Sequence, residues 1–268
     1  MFDKYLERWQ LTPDGDPVIT RSSKLVPVRM GNTPAMLKIA MDAEEKFGGL
    51  LMTWWDGQGA ARVFAHDDDA LLMERAQDQA SLLDMASTGR DDEASQIICG
   101  TVARLHAARA HPPPELIPLA QWFKALVSAA MKYHGESRDI FPACTAIADK
   151  LLQSPQDVVV LHGDIHHRNV LDFGARGWLA IDPKGLIGER GFDYANLFCN
   201  PELATVRAHG RLERQLDIVA EAVGLERKRL LQWIVAYAGL SAAWFLEDGD
   251  IEAAADDLAV AEQAMGSL

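Results

Sequence analysis

The segment Val158–Gly185 concentrates side chains that could do chemistry between two apolar runs. One apolar run leads into His162 and Asp164, Asn169 follows shortly after, and a second apolar run ends at Asp182. Carboxylates, an amide and imidazoles in so short a segment are typical of two kinds of site. One is a metal cluster that activates water for hydrolysis. The other is a loop that transfers a phosphoryl group.

The residues between Asn169 and Asp182 predict a β-hairpin that brings these two side chains together. Two apolar segments flank residues 174–177, which suit a four-residue loop. If Phe173 pairs with Trp178, Asn169 lies directly opposite Asp182, and such residues have Cβ atoms about 4.5–5.5 Å apart. An amide oxygen and a carboxylate at that separation can share Mg²⁺, which prefers oxygen ligands. We therefore predict a magnesium site at this pair.

Zinc is the competing interpretation of the same segment. His162 and His166 are four residues apart, and His167 and Asp164 could complete a ligand set. That spacing brings two imidazoles together on a helix, whereas Gly163 after a run of valines indicates a loop that follows a strand. The sequence therefore favours magnesium over zinc.

Two regions that differ in their pattern of apolar residues must position this segment. Residues 17–76 consist of short apolar runs separated by turn residues, which predicts β-strands with one helix, Asp42–Trp55, among them. After residue 77 the apolar spacing becomes helical and is interrupted by prolines. We expect helices at 91–108, 118–133, 139–153, 211–223, 226–245 and 250–265. This pattern predicts an α+β fold with a β-rich lobe at 1–76 and a helical lobe at 77–268.

Composition narrows the possible partners. The chain carries 26 basic and 39 acidic side chains, a net charge of −13. Such a surface repels nucleic acid and anionic membranes, and it suits a cationic small molecule, although acidity can also serve solubility alone. Three scattered cysteines and no apolar signal-peptide core indicate a cytoplasmic protein. We interpret the apolar stretch 230–246 as a buried helix.

The motif His162-Gly163-Asp164-Ile165-His166-His167-Arg168-Asn169 resembles the catalytic loop of the aminoglycoside phosphotransferases, which are relatives of the protein kinases. Ile181-Asp182-Pro183 is similar to the metal-binding motif of that family. The text around both motifs, with "TWWDGQGAARVFA", "LLMERA" and "GLSAAWF", resembles the aminoglycoside/hydroxyurea antibiotic resistance kinase branch, which includes streptomycin 6-phosphotransferases. This resemblance extends from about Ser22 to Trp244 and implies a protein-kinase-like fold of two lobes.

The resemblance assigns roles to residues of the catalytic loop and of the β-rich lobe. Asp164 would accept the proton of the substrate hydroxyl, and Asn169 and Asp182 would hold Mg²⁺ against the triphosphate of ATP. Lys38 would grip the phosphates and pair with Glu45, or less favourably with Glu44. The segment Glu74 to Ala76 would bond the adenine edge through its backbone, and Met73 would line the adenine pocket.

The phosphate loop departs from the pattern of the protein kinases. In place of a glycine-rich loop the chain has Thr20-Arg21-Ser22-Ser23-Lys24. Backbone N–H groups and the hydroxyls of Ser22 and Ser23 could still bond phosphate. The nature of the nucleotide, ATP or GTP, stays open at this point.

The acceptor site is expected among acidic residues of the helical lobe. The guanidinium groups of streptomycin call for carboxylates, and Glu247, Asp248 and Asp250 follow Trp244 closely. The alternative is an acidic turn that joins two helices in water. Asp193 is either another substrate contact or a buried residue that supports the catalytic loop, and His106 is expected to be a core histidine without a catalytic role.

Three classes of function follow. The first is an ATP-dependent O-phosphotransferase that acts on streptomycin at its 6-hydroxyl, or on another small molecule such as hydroxyurea. The second is a kinase-like protein that binds nucleotide without turnover, and the third is a metal-dependent hydrolase. A protein kinase is disfavoured, because only ten residues separate Asp182 from Asp193 and leave no room for a long peptide-docking segment.

Overall fold

The structure, a computed structural model, describes residues 2–41, 43–77, 79–133, 140–201 and 203–268. It contains a small antiparallel sheet followed by a larger, mainly helical part, so the predicted α+β architecture is confirmed. The predicted start of one helix at Asp42 and of another at residue 139 lies outside the described residues.

The first part is a six-stranded antiparallel sheet in which five strands follow the order β1-β3-β4-β6-β5. The sixth strand, β2, pairs with the N-terminal end of β3, on the edge of β3 that does not pair with β4. Helix α1 precedes the sheet, and α2 crosses between β4 and β5. Its elements are α1 Asp3–Arg8, β1 Leu11–Pro13, β2 Val18–Ile19, β3 Ser23–Met30, β4 Thr33–Ala40, α2 Ala43–Trp55, β5 Val63–Asp67 and β6 Ala70–Glu74. One face of the sheet packs on α1 around Tyr5, Val28 and Leu37.

The second part holds the remaining helices around a long core helix. Its helices are α3 Leu82–Met85, α4 Asp91–His106, α5 Leu119–Trp122, α6 Lys124–Lys132, α7 Ile140–Gln153, α8 Gly191–Ala195, α9 Leu203–Val206, α10 Arg211–Val223, α11 Arg227–Asp248 and α12 Ile251–Gly266. Its strands are β7 Ile117–Pro118, β8 Val158–Leu161, β9 Val170–Asp172, β10 Trp178–Ala180 and β11 Leu186–Glu189. The segment 158–189 is thus an island of strand among helices, and it contains the β9–β10 hairpin that the sequence predicts.

Helix α11 is buried along most of its length. By length and composition it is the one described helix that could cross a membrane, but 78% of its most apolar window is buried inside the protein. The fully buried Trp233 contacts Phe123, which lies between α5 and α6, and Phe192 of α8. Gly249 ends α11 in the left-handed conformation, at φ +83°, which costs glycine little. α11 is therefore the central helix of the core of the larger lobe.

A buried carboxylic acid lies between α12 and the core helix. Asp257 is 6% exposed, and one of its oxygens, Oδ2, has no hydrogen-bond partner among the described residues. Burial raises the pKa of Asp257 to about 7, and hydrogen bonds involving Ser241 and Cys199 offset only part of that effect. The carboxyl is therefore easier to accommodate as the neutral acid.

We expect Asp257→Asn to remove a pH-dependent loss of stability. The folded-state pKa is raised, so the protonated Asp257 supports the fold at low pH, and this contribution is lost as pH rises from about 4 to about 7. The advantage of the variant over the wild type in free energy of unfolding should therefore grow over that range and level off above it.

Denaturant unfolding at several pH values checks this expectation. Glu262→Gln, an exposed change on the same helix, is the matched control and should leave the difference flat. If Asp257→Asn destabilises the protein at pH 8, the buried group is stabilising as a carboxylate and the assignment is wrong.

Candidate active site

The expected catalytic loop, residues 162–169, connects β8 to β9 and begins with a tight turn. Gly163 has φ +87°, and a Cβ atom there would lie 2.9 Å from the side chain of Leu186 and 3.1 Å from that of Lys184. Both the conformation and the space therefore demand glycine at this position. The turn brings Asp164 out at the end of β8.

The buried carboxylate of Asp193 holds this turn in place through hydrogen bonds. Its Oδ1 accepts a hydrogen bond from the backbone N–H of Gly163 at 2.8 Å, and its Oδ2 accepts one from that of His162 at 2.8 Å. His106 Nε2 donates a third bond to Oδ2, also at 2.8 Å. Asp193 is only 1% exposed. Of the two roles expected of Asp193, the structure shows the buried support of the loop, and the alternative of a substrate contact is wrong.

The pKa of Asp193 reflects this environment. Burial acts to raise it, but the hydrogen bond from His106, the neighbouring imidazoles and the Gly163 N–H outweigh burial and hold the pKa below its ordinary value. The carboxylate therefore stays ionised. His106 is the partner that the sequence alone did not reveal, because nothing in its own helix pattern points to a residue so distant in the chain.

The histidines of the loop are not arranged as zinc ligands. His162 is fully buried, its Nε2 donates to the carbonyl of Ile181 at 2.8 Å, and its Nδ1 accepts from the N–H of Asp164 at 3.2 Å. Burial lowers the pKa of His162 and lowers that of His167 to about 4. Within the described ranges no three His, Cys, Asp or Glu side chains form a group that could hold a metal ion. The donor chemistry favours an oxygen-ligated cation instead.

Asp164 and Asn169 face each other across the loop. Asn169 Nδ2 donates to the backbone carbonyl of Asp164 at 2.8 Å and lies 3.4 Å from its carboxylate Oδ2. This use of the amide nitrogen leaves the amide oxygen of Asn169 as an acceptor. The side chain of Asp164 is about one-third exposed, at 34%, so its carboxylate can reach a bound molecule.

The hairpin that carries Asn169 and Asp182 differs from the predicted register by one residue. Asp172 pairs with Trp178, and the N–H of Ile181 donates to the carbonyl of Asn169 at 2.9 Å. Asn169 is therefore opposite Ile181, and the expectation that it lies directly opposite Asp182 is wrong. The reason is the loop: the Phe173 N–H bonds to the Gly177 carbonyl, and one short helical turn of three residues connects the strands.

Asp182 leaves the strand in an unusual conformation and meets Lys38. Its φ is +60°, which few residues other than glycine adopt, and its Oδ1 accepts a hydrogen bond from Lys38 Nζ at 2.8 Å. Lys38 lies on β4 and its side chain is 6% exposed, against 29% for Asp182. The two lobes are thus joined at this pair. The side chain of Glu45, the expected partner of Lys38, lies outside the described residues, as does that of Glu44.

The expected adenine-binding segment follows β6. Met73 is buried at 3% exposure, in contact with the core of the larger lobe. The Glu74 carboxylate accepts a hydrogen bond from the Arg62 N–H at 2.6 Å and pairs with Arg176, so this side chain is used within the protein. Ala76 is partly exposed beyond it. Adenine binding through this backbone stays a prediction.

The phosphate loop is a tight hairpin turn. The N–H of Thr20 donates to the carbonyl of Ser23 at 2.9 Å, which leaves Arg21 and Ser22 as the two residues at the tip. Ser23 is buried at 3% exposure and its hydroxyl lies 3.1 Å from that of Thr20. The phosphate contact expected of the Ser23 hydroxyl is therefore wrong for this conformation, whereas Ser22 lies at the tip.

The side chain of Asp164 lines a cleft of about 610 Å³ between the lobes. Trp244, Glu247 and Asp248 lie on its walls, so three of the five residues expected at the acceptor site, Asp193 included, share a cleft with Asp164. Asp250 does not: its carboxylate accepts a hydrogen bond from the N–H of Ala253 at 3.0 Å and caps α12. The expectation for Asp250 is wrong, and the alternative of a turn between helices holds for this residue.

Further wall residues of the cleft escaped the sequence analysis. Trp122 packs edge-on against Trp244, with ring centroids 5.1 Å apart. Arg21 and Lys184 supply positive charge beside Asp164. The position of Lys184, two residues after Asp182, is a signal that could have identified it, whereas Arg21 and Trp122 reach the cleft only through the packing of the lobes.

This arrangement has the parts that phosphoryl transfer needs. The Asp164 carboxylate lines an open cleft, and the amide of Asn169 is bonded to the backbone of Asp164. Lys38 is paired with a second carboxylate, Asp182, at the end of the hairpin that follows Asn169. Reactions of this type depend on positioning and on neutralising phosphate charge more than on covalent chemistry. Asn169 and Asp182 offer oxygen ligands of the kind that Mg²⁺ accepts together with phosphate oxygens.

We expect Asp193→Asn to destabilise the protein and to loosen the catalytic loop. An amide has one acceptor oxygen, so a backbone N–H of Gly163 or His162 would lose its partner, at a cost of roughly 1–3 kcal/mol for each unsatisfied buried group. Denaturant unfolding measures this change. Asp157→Asn, an exposed carboxylate 67% accessible, is the control and should change the stability by less than about 0.5 kcal/mol. Equal effects of the two changes would contradict the supporting role of Asp193.

Comparison with known proteins identifies the kind of molecule that this site belongs to. The sequence profile of the aminoglycoside/hydroxyurea antibiotic resistance kinases matches residues 8–249. The chain is 54% identical to a streptomycin 3''-kinase of Klebsiella pneumoniae, over 95% of this chain and 97% of the relative. It is 34% identical to a streptomycin 6-kinase of Streptomyces griseus, over 96% of this chain and 86% of the relative.

A solved structure supports the fold. The aminoglycoside phosphotransferase APH(4)-Ia, in a ternary complex with ADP and hygromycin B, superposes with a TM-score of 0.70 at 14% identity, covering 99% of this chain and 97% of that structure. The predicted protein-kinase-like fold is thereby confirmed. The match over nearly all of the chain, together with the identity to curated relatives, shows that this protein belongs to the aminoglycoside/hydroxyurea antibiotic resistance kinase family.

Proposed function

We propose that this protein transfers the γ-phosphoryl group of ATP to a hydroxyl group of streptomycin. The observation that carries the proposal is the cleft in which Asp164 faces Glu247, Asp248 and Trp244. Streptomycin presents two guanidinium groups and a methylamine, and carboxylates bind guanidinium through paired, charge-assisted hydrogen bonds. An aromatic wall beside carboxylates suits the same cations.

The hydroxyl that receives the phosphate is proposed to be the 3''-hydroxyl. The 54% identical relative is a streptomycin 3''-kinase, and its alignment extends over 97% of that protein. The 6-hydroxyl, which the resemblance of the motifs suggests, is the competing position and corresponds to the 34% identical relative. Both positions place the same demand on the chain: a cationic polyol must bind with one hydroxyl beside Asp164.

The nucleotide would lie between the lobes. Lys38, held at the lobe junction by Asp182, would turn its ammonium group to the phosphates, and Asn169 and Asp182 would hold Mg²⁺. When bound, the ion supplies neutralisation of the triphosphate charge. The backbone after Met73 would bond the adenine edge, and the N–H groups at the tip of the β2–β3 turn would cover the phosphates.

Asp164 would orient the acceptor hydroxyl and accept its proton as the new oxygen–phosphorus bond forms. Its backbone N–H is bonded to His162 and its carbonyl to Asn169, so the backbone that carries the carboxylate is held from both sides. Such preorganisation is what positions a nucleophile in line with the phosphoryl group. Asp193 supports the same loop through its bonds to the N–H groups of His162 and Gly163.

Product analysis tests the proposed function. The protein is incubated with ATP, magnesium and streptomycin, mass spectrometry detects a phosphorylated product, and phosphorus–proton correlation NMR locates the phosphate. We expect one phosphate on the 3''-hydroxyl. A phosphate on the 6-hydroxyl would contradict only the position, whereas turnover of hydroxyurea but of no aminoglycoside would contradict the substrate.

We expect Asp164→Asn to lower turnover by about two or more orders of magnitude, the scale of a positioned proton acceptor. Affinity for ADP and the free energy of unfolding should stay close to the wild-type values, because the side chain is partly exposed and makes few contacts. Steady-state kinetics and nucleotide titration measure these quantities. A variant that keeps more than about a tenth of the wild-type rate would refute the assignment.

We expect Asp182→Asn to abolish the effect of magnesium on ATP binding. In the wild type, magnesium should strengthen the binding of ATP, and in the variant the affinities with magnesium and with a chelator should converge, because one charged oxygen ligand is lost. Equilibrium binding measures this without any turnover. Asp149→Asn, an exposed carboxylate on α7, is the matched control, and a magnesium effect that persists in Asp182→Asn would place the ion elsewhere.

A further inference from the structure

Arg21 bridges the two lobes at the mouth of the cleft. Its Nη1 donates to Asp248 Oδ2 at 2.8 Å and its Nη2 donates to Oδ1 at 3.1 Å. Arg21 lies at the tip of the β2–β3 turn, and Asp248 lies in the last turn of α11. A residue of the expected phosphate loop is therefore bound to a residue of the expected acceptor site.

The geometry of this contact is that of a guanidinium held by a carboxylate in a parallel fork. The hydrogen bond from Arg21 also holds the pKa of Asp248 below its ordinary value, so the carboxylate stays charged. Both side chains and Asp164 line one cleft. Asp248 thus binds a guanidinium group in the very cleft that is proposed to receive a substrate with two such groups.

The ion pair between Arg21 and Asp248 is also easy to break. The side chain of Arg21 is 85% exposed and that of Asp248 is 54% exposed, and ion pairs in contact with water contribute little net stability. An incoming guanidinium can therefore replace that of Arg21 without a large penalty. Once displaced, Arg21 stays on a turn whose backbone is fixed by the Thr20–Ser23 hydrogen bonds.

We propose that Arg21 acts as an internal placeholder for a guanidinium group of the acceptor, and that its displacement from Asp248 frees it to bind the nucleotide phosphates. The proposal rests on the proposed function and concerns how the acceptor is recognised. Arg21 thereby becomes a specificity-determining residue: an acceptor that lacks a guanidinium group leaves Arg21 on Asp248 and away from the phosphates.

Two opposite effects follow from removing this side chain. Without Arg21, Asp248 is open to the acceptor, so streptomycin binds more tightly in the absence of nucleotide. The nucleotide, however, loses a cation that acceptor binding would have released, so the favourable coupling between the two ligands weakens. Linkage requires this coupling to be the same whichever ligand binds first.

Calorimetric titration of streptomycin tests the proposal in Arg21→Gln. Without nucleotide we expect the dissociation constant to fall by about two- to fivefold, the range for a surface ion pair. With the non-hydrolysable analogue AMP-PNP and magnesium present, this gain should be lost. Arg29→Gln, an arginine of the same sheet that pairs with Asp14, is the matched control and should behave as the wild type.

The double variant identifies the partner. In an Asp248→Asn background streptomycin should bind more weakly, and Arg21→Gln should then have no further effect on binding without nucleotide. If Arg21→Gln leaves wild-type binding unchanged, weakens it, or acts equally in the Asp248→Asn background, the placeholder is refuted while phosphorylation of streptomycin still stands. Failure of the wild type to bind streptomycin at all would overturn both this proposal and the proposed function.

Discussion

The buried carboxylate of Asp193 is the constraint on which the rest of the site depends. It receives two backbone N–H groups of the catalytic loop and the imidazole of His106, and each bond is made where water does not compete. Gly163 keeps its left-handed conformation with its own N–H and that of His162 bonded to this carboxylate. The direction of Asp164, and the position of Asn169 bonded to its carbonyl, follow from that turn.

The sequence predicts the elements well because their patterns are local. The apolar spacing that predicts helices at 226–245 and 250–265 depends on neighbours in the chain, and the structure has these helices at Arg227–Asp248 and Ile251–Gly266. The expected catalytic and metal-binding residues Asp164, Asn169 and Asp182 follow one another closely in the chain, on one loop and the hairpin after it. Structural features that depend only on neighbouring residues can be inferred from the sequence.

Other features depend on packing that the sequence does not display. The register of the β9–β10 hairpin turns on whether three or four residues form the loop, a choice that glycines at both ends permit equally. Asp193 and Asp250 are acidic residues near the site by sequence, but one is buried under the loop and the other caps a helix. Acidity alone does not distinguish a ligand from a cap or a support; the nearest N–H groups do.

The apolar core helix α11 has a consequence for the order in which this protein is made. α11 and α12 follow every other element of the larger lobe, and residues of α11 such as Trp233 complete the core around α7 and α8. Domains emerge from the ribosome from the N-terminus onwards, so the small sheet, which has a core of its own, can form first. The helical lobe has to wait, and its aromatic surface stays open to solvent or to chaperones until residues 227–266 have been synthesised. The end of α11 that lines the cleft with Trp244, Glu247 and Asp248 is thus among the last parts of the lobe to exist.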